Sequence, residues 1–329
     1  MSRARVLVPS KVAPAMLDVL RAYETLDVDA PGDLTQQALA EAIVPADAVI
    51  IRSNNTMTAA VIGAAPRLRV IGRAGAGVDN VDVEAATRRG IVVMNTPGEN
   101  AVATAEHTFA MLLSLARRIP AADSSIKAGK WERSRFQGME LYGKTLGIVG
   151  LGRIGREVAR RAAAFGMKII AFDPFLPEDA MIDSFVNLVG DLGEVLEASH
   201  FVTVHVPLSA ETRALIGASE IARMRSGSYI LNCARGGLVD EAALCDALDS
   251  GHLAGAALDV FETEPPGERR AVSHAKIVAT PHVGGSTAEA QSRVGISIAR
   301  QVGDFLTRGI AAHAVNVPPL AGPWAAWAD

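Results

Sequence analysis

The thirty residues TLGIVGLGRIGREVARRAAAFGMKIIAFDP, positions 145–174, leave a chain few ways to fold. An apolar run passes into Gly150-Leu151-Gly152-Arg153-Ile154-Gly155 and from there directly into a helical pattern. The first glycine permits a tight turn, the second lets a phosphate approach the backbone, and the third lets helix and strand pack closely. The unpaired N–H groups at the start of such a helix present a partial positive charge to an anion. Asp173 closes the next apolar run, placed to bind adenosine ribose hydroxyls and to repel a 2′-phosphate, a choice of NAD over NADP. A glycine pattern alone is weak, but this one follows a strand, opens a helix and is answered by an acid. A βα turn with no ligand is the plainer alternative.

The same alternation runs along most of the chain. ARVLV, DAVII, LRVIG and GIVVM are separated by helical stretches over the first 95 or so residues. After NTPGEN a helical pattern spans about Asn100 to Arg118, and a basic segment, KAGKWERSRFQGMELYGK, leads to TLGIVG, MKIIAFD, FVTVHV, SYILNCA, AGAALDV and KIVATP. Strands alternating with helices predict βαβ units and parallel sheets. Two α/β domains follow: a dinucleotide-binding domain at 98–284, inserted into a domain made of 1–97 and 285–329. The helical pattern STAEAQSRVGISIARQVGDFL and the run AHAVNVPP are expected to return to the first domain.

Composition narrows the function. At 329 residues the chain is long enough for two cores, and 49% of it is hydrophobic. A formal charge of −4 offers no basic face for nucleic acid. FAMLLSLA, the longest apolar helical stretch, is about half of the roughly 20 residues a membrane span needs. MSRARVLVPS reads as a first strand and not as a secretory signal. Cys233 and Cys245 suit neither a disulfide framework nor a metal site. A cytoplasmic, metal-free protein is expected.

Three ionisable residues stand where second-domain strands end: Arg235 after SYILNCA, Glu264 after AALDVF, and His282 after KIVATP. In open parallel sheets, ligands bind outside the carboxyl ends of the strands. Interconverting a 2-hydroxy and a 2-oxo acid needs hydride transfer at C2 and proton transfer at its oxygen. His282 suits the proton, Glu264 would orient the imidazole and favour its charged form, and Arg235 can fork a carboxylate and the oxo group. Taken singly, each also reads as an ordinary loop residue. GRAGAGVDN (72–80) is glycine-rich too, but no acid closes the following strand; it reads as a loop whose N–H groups and Arg73 could hold an anion, or as a turn only.

GLGRIG, NCARGGLVDE, ALDVFETEPP and PHVGGST resemble the D-isomer-specific 2-hydroxyacid dehydrogenases over nearly the whole chain. IRS (51–53), GRAGAGVDNVD, KWERSRF and LYGKTLGIVGLGRIGRE look most like the branch acting on D-3-phosphoglycerate in serine biosynthesis. The resemblance implies two doubly wound, Rossmann-like domains, the discontinuous one flavodoxin-like and substrate-binding. It places the catalytic trio on Arg235, Glu264 and His282. NAD contacts fall on Ala76, Gly150, Gly152, Arg153, Ile154, Gly155, Val206, Cys233, Ala234, Arg235 and His282 to Gly285 (with Val283 and Gly284), with Asp173 on the ribose and Asp259 on the nicotinamide carboxamide. Arg52, Ser53, Arg73, Gly75, Arg235 and His282 are the candidate contacts to a small, phosphorylated 2-hydroxy or 2-oxo acid. A homodimer or homotetramer is implied, with residues 100–145 at the two-fold. Arg133 and Arg135 either reach the partner subunit's site or stay solvated, and Trp131 is a subunit contact or a core residue.

Two departures stand out. Asn54-Asn55 follows IRS where a threonine is expected two residues after the serine. Regulatory domains common in that branch do not follow VNVPPLAGPWAAWAD, so the sequence predicts no L-serine feedback. Glu264 stands where formate-oxidising relatives have glutamine. The alternatives are reduction of glyoxylate, hydroxypyruvate or another 2-oxo acid, and, in a different class, an NAD-sensing corepressor or scaffold. Cys233 reads as a buried strand residue or an oxidant-sensitive thiol.

Overall fold

Runs of branched aliphatic residues, bounded by glycine, proline and charged turns, become strands buried on both faces. The structure, a computed structural model, describes residues 3–176 and 181–317. It forms two compact units, one holding the chain through Asn100 and again from Thr287, the other Ala101–Ser286.

Among the described residues the first unit has five strands: β1 (Ala4–Leu7), β2 (Leu26–Asp29), β3 (Ala48–Ile51), β4 (Val70–Arg73) and β5 (Val92–Met94). They are parallel, in the order β2-β1-β3-β4-β5. The period-two rule sends Leu7, Val49, Ile51, Ile71 and Val93 to one face and Val6, Ala48, Ile50, Val70 and Met94 to the other. Both faces are covered by helices, which is why the strands read as continuous apolar runs. Ile298, Ala299 and Val302 of the helix Ala288–Arg308 pack on the second face. Beyond that helix, Val315 donates its N–H to Val93 O at 2.8 Å, beside β5; residues past Val317 lie outside the described part.

Among the described residues the second unit has seven parallel strands: β6 (Thr145–Val149), β7 (Lys168–Phe172), β8 (Val186–Leu188), β9 (Phe201–Val204), β10 (Ser228–Asn232), β11 (Leu253–Leu258) and β12 (Ile277–Ala279). Their order, β12-β11-β10-β9-β6-β7-β8, reverses between β6 and β9. In open α/β sheets such a reversal opens a crevice at the carboxyl edge. Again two cores form: Leu146, Ile148, Ile169, Phe201 and Leu231 on one side, Val149, Ile170, Val202, Val204 and Ile230 on the other. β2 and β8 were absent from the sequence pattern. Both are short edge strands, LDVD and VNL, whose polar residues break the apolar run. The long helix expected to end near Arg118 runs Ala101–Arg117; Arg118 then takes a left-handed conformation (φ 53°) and a further helix, Ile119–Lys127, follows. Among the described residues no helix is long and apolar enough to cross a membrane.

Candidate active site

One row of register partners crosses the second sheet near its carboxyl edge: Phe172, Val149, Val204, Asn232, Leu258 and Ala279. The residue after each is Asp173, Gly150, His205, Cys233, Asp259 and Thr280. Separate segments of sequence therefore reach the same edge together, and the candidate chemistry is built on this row.

Asp259 organises one end of it. Its carbonyl accepts the His282 N–H at 2.7 Å. Its carboxylate accepts Val283 N at 2.9 Å and Thr280 Oγ1 at 2.6 Å on Oδ1, and Gly284 N at 2.8 Å on Oδ2. Successive N–H groups aimed at one oxygen set make an anion nest, here filled by the chain's own carboxylate. His107, on the helix Ala101–Arg117, approaches with Nε2 3.3 Å from Oδ1 and 3.1 Å from Thr280 Oγ1. Burial alone would push this carboxyl up, since Asp259 is 1% exposed. The hydrogen bonds from His107, Thr280, Val283 and Gly284 outweigh it and hold the group below its ordinary range.

The turn so anchored places His282 at φ 52°, a left-handed conformation costing a non-glycine residue about 1–2 kcal/mol. Its Nδ1 lies 2.7 Å from Glu264 Oε2. Glu264 Oε1 accepts the Phe261 N–H at 3.1 Å, so the carboxylate bridges two loops. Burial raises the Glu264 pKa, but the imidazole and the Phe261 amide more than offset it, leaving the carboxyl below its usual range. Arg235 stands three residues past Asn232, as His282 stands three past Ala279. The Arg235 turn is held by Asn232: Nδ2 donates to Arg235 O at 2.8 Å, and Oδ1 accepts Ala234 N at 3.1 Å. Gly236 of the same turn runs against the backbone of Phe261 and Glu262, where a Cβ would not fit. The structure thus brings Glu264 and His282 into direct contact and sets the Arg235 turn against the loop that leads to Glu264.

At the reversal of strand order sits the glycine loop. Gly150 has φ +93°, and a Cβ there would come within 2.6 Å of His205 O. A Cβ at Gly155 would collide with Gly150 O. Gly152 differs: its φ of −71° suits any residue, and none of the described residues lies within 4 Å of its Cβ position. Space kept open beside the start of the helix Arg153–Ala164 is what an approaching phosphate requires. Asp173 accepts Leu151 N at 2.9 Å and Phe175 N at 3.0 Å, bracing both sides of this cradle. Val206 packs against Gly150, and Arg153 and Ile154 begin the helix. Cys233 is buried, and burial pushes its thiol up to about 12, so the oxidant-sensitive reading gives way to the structural one.

In the first unit Arg52, Ser53, Arg73, Gly75 and Ala76 follow β3 or end and follow β4. Arg52 Nη1 donates to Lys11 O at 2.8 Å, and Arg73 Nη1 to Ala74 O at 3.0 Å, its guanidinium lying across Gly75 where a side chain would sit. Gly75 N donates to Thr96 Oγ1 at 2.9 Å and Asn95 Nδ2 to Ala76 O at 2.5 Å. The unexpected Asn55 is buried and accepts Ser10 Oγ at 2.5 Å, while Asn80 Nδ2 donates to Arg52 O and Asn55 O. These amides are turn-builders that sequence reading missed. Arg135 is engaged in its own segment, 3.2 Å from Glu132 and over the Phe136 ring. Trp131 is 79% exposed and no core residue.

Residues 109–284 match the family described as D-isomer specific 2-hydroxyacid dehydrogenase, NAD binding domain. The chain belongs to this family. It is 46% identical over 308 residues to D-3-phosphoglycerate dehydrogenase of Methanocaldococcus jannaschii, covering 93% of this chain and 59% of that protein. It thus spans about three fifths of the length of that curated relative. Among solved structures, it resembles an NAD⁺-bound 3-phosphoglycerate dehydrogenase of Entamoeba histolytica (TM-score 0.81, 31% identity, 96% of this chain and 99% of that one). It also resembles a glyoxylate reductase of Paecilomyes thermophila (TM-score 0.85, 31% identity, 96% of this chain and 99% of that one). The family match embraces the cradle, Asp259, Glu264 and His282. The sequence gives no signal for His107 or Thr280, because one sits in an apolar helix and the other directly follows a strand.

Proposed function

We propose that the chain is an NAD-dependent dehydrogenase of D-2-hydroxy acids whose substrate is D-3-phosphoglycerate. The observation that carries the reading is the 2.7 Å contact between His282 Nδ1 and Glu264 Oε2, on the same sheet edge as an open phosphate cradle. With Nδ1 committed to the carboxylate, Nε2 is the atom that exchanges a proton with the substrate oxygen. Glu264, held ionised, stabilises the imidazolium formed when the hydroxyl is oxidised. Arg235 grips the carboxylate of the acid through its planar fork. Bound NAD supplies the hydride acceptor, held by the glycine cradle, the helix start at Arg153 and Asp173.

The phosphorylated substrate is favoured by the relatives of that activity and by cations on the first unit's sheet edge, for which Arg52 and Arg73 are the candidates. The decisive experiment is NADH oxidation with 3-phosphohydroxypyruvate, hydroxypyruvate and glyoxylate. If the phosphorylated compound is not the best by kcat/KM, the substrate assignment fails. The likeness to a glyoxylate reductase supports a second reading, reduction of glyoxylate or hydroxypyruvate, which the same panel separates. His282→Ala should abolish turnover while NADH binding persists; retained turnover would remove the catalytic assignment.

We infer self-association as well. Ile119, Ile126, Trp131 and Tyr142 expose large apolar surface on one stretch of the second unit, the last two being 79% exposed. Arg133, exposed beside Trp131, is the candidate to reach a partner's site. Light scattering should give a dimer or larger, and Trp131→Ser should weaken it.

A further inference from the structure

Under the catalytic turn lies a layer of contacts that the chemistry above does not use. We propose that His107 is a positioning residue for His282: it donates its Nε2 proton to the Asp259–Thr280 pair and thereby fixes the carboxylate on which the turn hangs. The inference rests on the dehydrogenase reading for its effect on rate, but its structural core does not.

The proton's place follows from the neighbours. Thr280 Oγ1, 2.6 Å from Asp259 Oδ1, spends its only hydrogen on that carboxylate, so toward His107 it can only accept. The ionised carboxylate can only accept as well. An imidazole nitrogen 3.1 Å from one and 3.3 Å from the other must therefore be the donor, which settles the Nε2–H tautomer. Three donors then converge on Oδ1, from Thr280, Val283 and His107, and Gly284 N donates to Oδ2. The ionisable groups around this carboxylate are His107 from the helix beneath, Glu264 and His282 on the loops above, and the Cys233 thiol beside it. Among them His107 is the one whose side chain donates a hydrogen bond to the carboxylate. A buried carboxylate that loses a donor reorients or takes up a proton, and either change releases the 283 and 284 amides. The left-handed His282 then has less to hold it.

Three variants and two readouts test this. His107→Leu keeps the bulk and removes the donor; His107→Gln keeps an N–H at nearly the Nε2 position. Amide hydrogen exchange of the segment 280–286, read by mass spectrometry, needs neither substrate nor cofactor. We expect His107→Leu to speed that exchange about tenfold, with the strands β6 and β9 unchanged. We also expect it to lower kcat about tenfold with KM for the 2-oxo acid nearly constant, the mark of a misplaced proton donor. His107→Gln should restore both. Wild-type exchange and kcat in His107→Leu, or a His107→Gln no better than His107→Leu, overturn the proposal. Should His107→Leu fail to fold, His107→Met, which also fills the space without an N–H donor, is judged by the same criteria. If the wild-type chain oxidises no 2-hydroxy acid, the dehydrogenase reading falls while the exchange result still decides the role of His107.

Discussion

A single ionised oxygen pair, on Asp259, holds the backbone N–H groups of two consecutive residues, Val283 and Gly284, while the carbonyl of the same residue holds that of His282, so the candidate site is decided one hydrogen bond at a time. Glu264 works likewise, joining the Phe261 amide to the His282 ring. Glu264→Gln preserves the shape and an acceptor oxygen but removes the charge that stabilises an imidazolium. Its kcat should fall by about 10²-fold while NADH affinity holds, as read from steady-state kinetics and nucleotide fluorescence. An unchanged kcat would mean the carboxylate is only a loop tie. Cys233 marks the opposite case, a reactive residue type made inert by its surroundings. With burial pushing the thiol up to about 12, only about one molecule in 10⁴ is thiolate at pH 8. Iodoacetamide should leave Cys233 unlabelled in the native protein and label it fully in denaturant; native labelling would contradict the burial.

Among the elements, the β6–loop–helix unit separates what the fold needs from what a ligand needs. Gly150 and Gly155 are required by the protein itself, through a positive φ and a backbone collision. Nothing among the described residues requires Gly152. Gly155→Ala should therefore cost about 1–3 kcal/mol in urea unfolding, as other overpacked sites do. Gly152→Ala should unfold like the wild type yet bind NADH at least tenfold more weakly, because its methyl group occupies the phosphate's approach. Equal NADH affinity would leave the motif as a mere turn. These elements were legible in the sequence because strand, glycine spacing and closing acid are all local signals. Arg235, Glu264 and His282 were legible for a related reason: in a parallel sheet, the end of a strand tells which edge a residue occupies. His107 was not, since nothing in AVATAEHTFAMLL says that one helical position meets a carboxylate some 150 residues later. The turn-building roles of Asn55 and Asn80 escaped too, because side-chain-to-backbone bonds between loops leave no periodicity. β2 and β8 were lost to their polar residues.

For the molecule as a whole, histidines held neutral by the fold link stability to pH. His205 follows β9 at the reversal of strand order, with Nε2 3.0 Å from Thr203 Oγ1 and a buried Nδ1. Burial drives its pKa from 6.5 to about 4. Between those values the unfolded chain binds a proton that the folded chain refuses, so folding loses ground as the solution is acidified. The contribution is fully present above pH 6.5, declines through the interval and is gone below pH 4. By linkage, His205 alone should remove about 2 kcal/mol of stability between pH 8 and pH 5. His200, pushed down by burial and by nearby Arg225 and Lys144, acts in the same direction. Asp259 and Glu264, both held below their ordinary range, add their losses only at lower pH, as they take up protons. Urea unfolding followed by circular dichroism at pH 8, 6.5 and 5 measures the slope. His205→Gln cannot titrate, and its stability should fall by about 2 kcal/mol less than the wild type's over that range. Parallel profiles for the two proteins would show that His205 is charged or solvated in the fold, and that the strand reversal is a wetter place than its packing indicates.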